Sequence, residues 1–241
     1  SYYMVATDMF THKTGWGFNP GIVLMRSENL TDWTHSAIDF TKVYPEKFGN
    51  VQWVWAPQTF YDVKEGKYLV YFTVKFKHNG YLDYYCAYAN ADFTALEHEP
   101  VFMFRADYGA IDGDIIYNEK DGYYYLYFKE DLTQKIAYVK SKNLTGPYNQ
   151  DYTICSLNWW GVEGSTMYRI NGTDAWMMIM DEYGEGTFFG QMTRDFKSFR
   201  RVQRSRYGLD HLRPRHGSVV SITEDEYYRL VDHYGVQKIE K

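Results

Sequence analysis

The sequence predicts an all-β fold built from repeated small sheets, and two observations lead to this prediction. The first is an excess of aromatic residues: 20% of the 241 residues are Phe, Trp or Tyr. They cluster in short runs bounded by Gly, Asn, Asp and charged residues, which is typical of β-strands. The second is that helical periodicity is confined to one segment near the C-terminus. There Thr223 and Glu226 have capping-box spacing, which predicts one short helix of about ten residues.

The strand-like runs recur in a repeated order along the chain. Each complete unit has a first strand, a hairpin turn containing glycine, a second strand, and then a third strand ending in a polar turn. The second strands begin at residues 2, 68, 123 and 175, which are 66, 55 and 52 residues apart. Units of several strands at such a period indicate the blades of a β-propeller.

The spacing within the units predicts how many blades there are. The residue that heads a first strand precedes the second strand by 11, 11, 12 and 11 residues for Pro57, Asp112, Glu163 and His216. The same offset places the head of the first unit about nine residues before Ser1. We therefore expect a five-bladed propeller in which residues 1–241 form one domain that is incomplete at its N-terminus. The innermost strand of the first blade is the expected missing piece.

Charge and cysteine content exclude several classes of function. The formal net charge is −5, which argues against a nucleic-acid partner, and no apolar run approaches the roughly 20 residues of a membrane helix. We therefore expect neither a nucleic-acid nor a membrane partner. The two cysteines, Cys86 and Cys155, are too few for a disulfide framework, and we expect buried free thiols.

The heads of the first strands carry the candidate chemistry. In a propeller the first strand of every blade lines the central channel, so residues at equivalent heads converge on one mouth. Two heads are the acids Asp112 and Glu163, and burying an unpaired charge there would be costly. Paired carboxylates in a cleft with aromatic walls are typical of glycosidases. The alternative is that both acids only cap turns at strand starts.

Four segments in this order resemble a known family. They are residues 54–58 (VWAPQ), 111–116 (IDGDII), 162–165 (VEGS) and 215–220 (RHGSVV). Together they resemble the five-bladed β-propeller glycoside hydrolases of family 43, a group of arabinofuranosidases, xylosidases, arabinanases and galactanases. The resemblance implies an inverting hydrolase acting on plant saccharides that contain arabinose, xylose or galactose.

The resemblance also implies roles for individual residues. Glu163 matches the general acid, and Asp112 matches the residue that tunes the pKa of the acid and orients the sugar. We expect the neighbouring negative charge to raise the pKa of Glu163 toward neutrality. Asp114 is a poorer candidate, since it lies deeper on the same strand face. His216 matches a histidine that faces a channel water or calcium ion, and a hydrogen-bonded core histidine is the alternative.

The third carboxyl residue of the family, the general base, belongs on the strand that we expect to be missing. Either the sequence is a shortened form of a longer protein, or this member has lost or replaced its base. Asp8 is a weak substitute, because an acid on a surface turn is usually only a turn acid. The main alternative function is a non-catalytic carbohydrate-binding propeller without a competent base. A propeller that binds proteins is a further alternative.

The sequence also suggests which residues contact the substrate and where the protein acts. The candidate substrate-binding residues are Trp55, Gln58, Trp159, Trp160, Arg215 and His216, with core packing as the alternative for the tryptophans. The segment 11–20 is expected to shape the pocket rim or to be a packed surface loop. No cofactor is required, although a structural calcium ion in the channel near His216 is consistent with the resemblance. We expect a monomer with an oligo- or polysaccharide substrate. The resemblance implies an extracellular or periplasmic location; no signal peptide is visible, so a cytoplasmic location stays open.

Overall fold

The computed structural model describes residues 1–78, 80–159, 161–209 and 215–235. These residues form four antiparallel sheets in a β-propeller arrangement, one with three strands and three with four. The predicted all-β fold is therefore confirmed. None of the described helices is long and apolar enough to cross a lipid bilayer.

Sheets 1 and 2 come from the first 104 residues, and neighbouring strands along the chain pair with each other. Sheet 1 has the order β1-β2-β3 and sheet 2 the order β4-β5-β6-β7. Their strands are β1 (Tyr2–Thr7), β2 (Gly21–Ser27), β3 (Trp33–Asp39), β4 (Val51–Asp62), β5 (Lys67–Phe76), β6 (Asp83–Tyr88) and β7 (Val101–Phe104).

Sheets 3 and 4 repeat the pattern of sheet 2. Sheet 3 contains β8 to β11 and sheet 4 contains β12 to β15, each in sequence order across the sheet. Their strands are β8 (Ala110–Asn118), β9 (Tyr123–Glu130), β10 (Lys135–Ser141), β11 (Thr153–Ile154), β12 (Glu163–Arg169), β13 (Trp176–Glu182), β14 (Thr187–Thr193) and β15 (Arg200–Arg201). The hairpins after β4 and β8 turn at Gly66 and Gly122, whose φ angles of 65° and 67° suit glycine.

Helices are short and lie outside the sheets. Three single turns, α1 (Thr11–Thr14), α2 (Phe40–Val43) and α3 (Pro45–Phe48), belong to the connections of the first two sheets. The predicted C-terminal helix is confirmed as α4 (Glu224–Tyr234). Its capping box is formed: the Thr223 N–H donates to Glu226 Oε2 at 2.7 Å, and the Glu226 N–H donates to Thr223 Oγ1 at 3.3 Å.

The hydrophobic core consists of layers between adjacent sheets. One layer joins sheets 1 and 2, a second joins sheets 2 and 3, and a third joins sheets 3 and 4. Fully buried aromatic side chains fill them, among them Phe72, Tyr84, Phe128 and Tyr127. Burial of one such side chain stabilises the fold by about 1.5–3 kcal/mol. The aromatic runs of the sequence are therefore the facing surfaces of stacked sheets. Cys86 and Cys155 are buried and free, as expected.

The number of blades differs from the prediction. Four sheets are present in the described part of the chain, where five were expected. The expected first strand of the fifth blade, residues 215–220, is not in a strand. The reason lies in the next segment of the chain, because residues 224–234, where a second strand would begin, form α4. Without a hairpin partner, an isolated extended segment has no ladder to join.

The first sheet is one strand smaller than the others. β5, β9 and β13 each have an inner neighbour in their sheet, β4, β8 and β12. Within the described ranges no strand takes this position beside β1, which pairs with β2. The inner edge of β1 is therefore unpaired among the described residues.

Candidate active site

The inner strands of sheets 2, 3 and 4 share a backbone irregularity at one end. The ladder between inner and second strand shifts between Trp55 and Gln58, between Ile111 and Asp114, and between Glu163 and Thr166. Each shift is a β-bulge, which bends a strand and re-aims its side chains. The bulge therefore marks the same end of three sheets.

The bulges correct the register expected from the sequence. Beyond them Gln58 pairs with Tyr71, Asp114 with Tyr127, and Thr166 with Ile179, always 13 residues apart. The residues two positions before Gln58, Asp114 and Thr166 are Ala56, Asp112 and Gly164, so these three are equivalent. Glu163 is instead equivalent to Trp55 and Ile111. The expectation that Asp112 and Glu163 head their strands at one equivalent position was therefore wrong by one residue.

The second residue of each bulge has a left-handed backbone. The φ angles are 50° at Ala56, 58° at Asp112 and 55° at Gly164. Such values are uncommon for residues other than glycine. Three sheets thus place the same unusual conformation at the same point, which indicates that the kink is a repeated feature of the mouth.

Asp112, Glu163 and His216 nevertheless meet at this mouth. One potential ligand atom of each lies within 4.8 Å of the others. His216 Nε2 is 3.2 Å from Glu163 Oε1, and His216 Nδ1 is 3.8 Å from Asp112 Oδ1. The Gly164 N–H donates to Asp112 Oδ2 at 3.0 Å, so the bulge of sheet 4 holds the acid of sheet 3. The predicted convergence of these three residues is what the structure shows.

Positively charged groups surround Glu163. Arg215 Nη2 donates to Glu163 Oε1 at 2.7 Å, and Lys129 Nζ donates to Oε2 at 3.2 Å. The His216 hydrogen bond, followed by the charge of Lys129, lowers the pKa of Glu163 to about 2 despite partial burial. The expected rise of this pKa toward neutrality is therefore wrong, because these groups outweigh the negative neighbours Asp112, Asp131 and Asp181.

The two acids of β8, Asp112 and Asp114, have raised rather than lowered pKa values. Burial raises the pKa of Asp112, although His216 partly opposes the rise. Burial also raises the pKa of Asp114 to about 7. Its carboxylate accepts the Met167 N–H at 2.7 Å and so bonds to the neighbouring sheet. Asp114 lies deeper along the strand, as expected, and links sheets 3 and 4.

Nearly the whole chain matches one domain family. Residues 1–228 match the family described as "Probable glycosyl hydrolase domain", which is related to family 43. The chain belongs to this family. No curated protein matches the sequence.

Solved structures of family 43 share the fold of this family-43-related domain. A thermostable family-43 glycoside hydrolase matches with a TM-score of 0.57 and 17% identity, over 76% of this chain and 64% of that one. A family-43 protein from Bacillus licheniformis matches with a TM-score of 0.62 and 17% identity, over 83% of this chain and 39% of that one. A putative exo-β-1,3-galactanase from Bifidobacterium bifidum matches with a TM-score of 0.58 and 14% identity, over 77% of this chain and 63% of that one. The chain thus spans between 39% and 64% of these three proteins.

Two site residues of the family-43-related domain were missed by the sequence analysis. Lys129 and Asp181 pair across the ladder with Ile111 and Glu163, and Thr73 holds the same position opposite Trp55. Asp181 accepts a hydrogen bond from Arg215 Nε at 2.6 Å and so holds the arginine beside Glu163. The available signal was one polar residue near the end of each apolar second strand.

A cavity of about 800 Å³ opens beside these groups. All of β1 lines one side, and Asp112, Gly164 and His216 line another. Glu163 is not part of the lining but contacts the cavity wall through His216, at 3.2 Å. Gln58 also lines the cavity and bonds to Ser218 Oγ at 3.3 Å, which ties the segment after His216 to β4.

The remaining predicted site residues are not all at the cavity. Trp55 lies on the mouth but is half-buried, with its ring stacked on that of Trp53 at 4.2 Å. Trp159 is 86% exposed, and Trp160 lies outside the described residues. Asp8 is on the exposed turn after β1, where its N–H donates to the Gly21 carbonyl at 3.1 Å. It does not belong to the cavity lining, which gives it no support as a substitute base.

The cluster of two acids and a histidine makes a poor calcium site. Calcium takes six to eight oxygen ligands, whereas the cluster offers two carboxylates and one imidazole nitrogen. Both oxygens of Glu163 are already paired with the cationic groups of Arg215 and Lys129. The described residues therefore fit a directly bound calcium ion poorly.

We expect Lys129→Met to raise the pKa of Glu163 from about 2 toward the usual value of 4.5. Because the folded-state pKa is lowered, ionised Glu163 stabilises the wild type above pH 4.5, and this contribution is lost as the pH falls toward 2. Carboxyl-carbon NMR titration and urea unfolding from pH 2 to 7 measure both effects. Lys142→Met, which removes an exposed lysine bonded to the Asp121 carbonyl, is the control. An unchanged pKa of Glu163 in Lys129→Met would contradict the assigned contact.

Proposed function

We propose that this domain is an inverting glycoside hydrolase acting on saccharides that contain arabinose, xylose or galactose. The observation that supports it most is the meeting of Asp112, Glu163 and His216 within 4.8 Å beside a cavity of about 800 Å³. A pair of carboxyl groups is the requirement for glycosidic bond cleavage. Membership of a glycosyl hydrolase family gives independent support.

In this proposal Glu163 donates the proton to the leaving oxygen, and Asp112 orients the sugar and disfavours the ionised form of Glu163. Glu163 must then hold a proton when the substrate is bound, although the hydrogen bond from His216 and the charge of Lys129 lower its pKa to about 2. We propose that substrate binding weakens the contacts of His216 and Lys129 with Glu163, because loss of either contact raises the pKa of the acid.

Inversion also needs a base on the opposite side of the sugar, with the two carboxyl groups roughly 6.5–9.5 Å apart. Asp181 shares Arg215 with Glu163, and Asp131 shares Lys129 with it, so both lie on the acid's own side. Asp8 is on an exposed turn. None of these three acids fits the role of the base.

The second candidate function is a non-catalytic carbohydrate-binding propeller. Two observations favour it: both oxygens of Glu163 are paired with the cationic groups of Arg215 and Lys129, and none of Asp8, Asp131 and Asp181 fits the role of the base. Such a protein would keep the cavity and its aromatic surroundings and bind saccharides without cleaving them.

Hydrolysis assays decide between the two. The wild type is incubated with 4-nitrophenyl α-L-arabinofuranoside, β-D-xyloside and β-D-galactoside, and with the matching oligosaccharides. We expect the sugar to be released from at least one class of substrate. Proton NMR of the first product should show the inverted anomer. A retained anomer would contradict the proposed mechanism. No hydrolysis of any substrate would contradict the hydrolase.

Calorimetry then separates the remaining alternatives. If no substrate is cleaved, heat on titration with the same oligosaccharides identifies the carbohydrate-binding propeller. No heat with any of them would favour a propeller that binds proteins. Size-exclusion chromatography with light scattering tests the proposed monomer in the same samples.

A further inference from the structure

The loop between β1 and β2 is fixed against the leading half of β4. The Asn19 N–H donates to the Gln52 carbonyl at 3.0 Å, and the Val54 N–H donates to the Asn19 carbonyl at 2.8 Å. The Asn19 side chain is buried and also donates to the Asp8 carbonyl. The loop therefore has a defined position at the rim, held at its far end by backbone hydrogen bonds.

This loop presents large aromatic rings to solvent. Trp16 is 67% exposed and Phe18 is 59% exposed. Lys77 Nζ lies 5.7 Å from the centre of the Phe18 ring and supplies a positively charged donor beside it. Exposed rings that lie together, rather than scattered singly, are typical of surfaces that contact a ligand or partner.

A stack of rings supports Trp16 from below. Trp53 and Trp55 lie face to face with ring centres 4.2 Å apart and planes 6° apart. Lys75 Nζ is 4.3 Å from the Trp53 ring centre, on which it can make a cation–π contact. Trp16 meets Trp55 edge-on at 6.3 Å. The exposed ring thus rests on a rigid base.

The Trp53–Trp55 stack lies at the same end of sheet 2 as Glu163 does in sheet 4. Trp55 occupies in sheet 2 the position that Glu163 occupies in sheet 4, immediately before the left-handed residue of the bulge. The next residues after Trp55, Ala56 and Pro57, line the cavity. Trp16 therefore contacts the residue that directly precedes the part of β4 lining the cavity.

We infer that Trp16, Phe18 and the supporting Trp53–Trp55 stack form a binding platform for a second sugar ring of an oligosaccharide whose reacting ring lies in the cavity. This inference rests on the proposed function for the position of the reacting ring. Exposed indole and phenyl faces match the apolar faces of sugar rings, and Lys77 offers a hydrogen-bond donor to their hydroxyls. The platform selects chains of two or more sugars over single-ring substrates.

The experiment compares Trp16→Ala with Phe102→Ala, which removes an exposed ring from the outer strand β7. The substrates are one-ring nitrophenyl glycosides and hexasaccharides of the arabinose, xylose and galactose classes. We expect Trp16→Ala to lower kcat/KM for a hexasaccharide about threefold to tenfold, the range of one aromatic contact, and to change the one-ring value less than twofold. Phe102→Ala should change neither.

Calorimetric affinity for the hexasaccharides is measured in parallel, so that the two proposals can fail separately. Equal effects of Trp16→Ala on one-ring and six-ring substrates, or none on either, would overturn the platform while leaving the hydrolase intact. Binding that weakens in Trp16→Ala, in a protein that cleaves nothing, would support the platform and overturn the hydrolase. Neither binding nor cleavage of any saccharide would overturn both.

Discussion

Glu163→Gln is expected to lower kcat/KM for oligosaccharide hydrolysis by roughly 10²–10⁴-fold, the usual contribution of a general acid. The amide has nearly the same shape but no proton to give to the leaving oxygen. The loss should be much smaller for a dinitrophenyl glycoside, whose leaving group departs without a proton. Steady-state rates on the two substrate types measure the difference.

Two comparisons make this prediction specific. Glu119→Gln changes an exposed acid in the hairpin after β8 and should leave both rates unchanged. Glu163→Gln also leaves Arg215 and Lys129 without their shared anion, so thermal unfolding of the variant must be recorded alongside the kinetics. A loss below tenfold on oligosaccharides, in a folded variant, would reject Glu163 as the acid.

Gly164→Ala is expected to disrupt the site although it replaces none of the candidate catalytic side chains. Its φ of 55° costs an alanine about 1–2 kcal/mol. A Cβ at this position would also lie 2.5 Å from His216 Cδ2, so the imidazole must move away from Glu163 and Asp112. We expect lower stability in thermal unfolding, a fall in the raised pKa of His216, and loss of most hydrolytic activity.

Gly172→Ala separates backbone strain from the clash. Gly172 has a φ of 72° in the hairpin before β13, and a Cβ there meets nothing within 4 Å. This variant should show the same backbone cost but keep its activity and the pKa of His216. If Gly164→Ala behaved like Gly172→Ala in NMR titration of His216, the imidazole would not be where the structure places it.

Much of the fold could be predicted from the sequence because its determinants are local. The aromatic runs form strands, the glycine turns form hairpins, and Thr223 with Glu226 caps the one longer helix. The fifth blade was predicted from spacing alone. Spacing carries no information on whether residues 215–220 have a strand to pair with, and the helix signal at Thr223 was the stronger local determinant.

The site was predicted less completely, for two physical reasons. Asp112 and Glu163 stand out as acids at strand starts, but the bulge that offsets them depends on positive φ angles, and at Ala56 the residue type gives no sign of one. Lys129 and Asp181 act across the ladder, so their roles depend on pairing that one strand does not encode. The pKa of Glu163 is lowered first by the hydrogen bond from His216 and then by the charge of Lys129, and its direction was missed because the sequence analysis weighed only the negative charge of Asp112.

The kink shared by sheets 2, 3 and 4 tolerates alanine, aspartate and glycine at the same backbone angle. The main chain there is the constant element, and the side chain it carries is free to differ from one sheet to the next. New chemistry could therefore be introduced at Ala56 by a single substitution, whereas a side chain at Gly164 would clash with His216, whose Cδ2 is 2.5 Å from the new Cβ. Ala56 is the natural place to attempt such a redesign, because it borders the cavity and carries no polar group of its own.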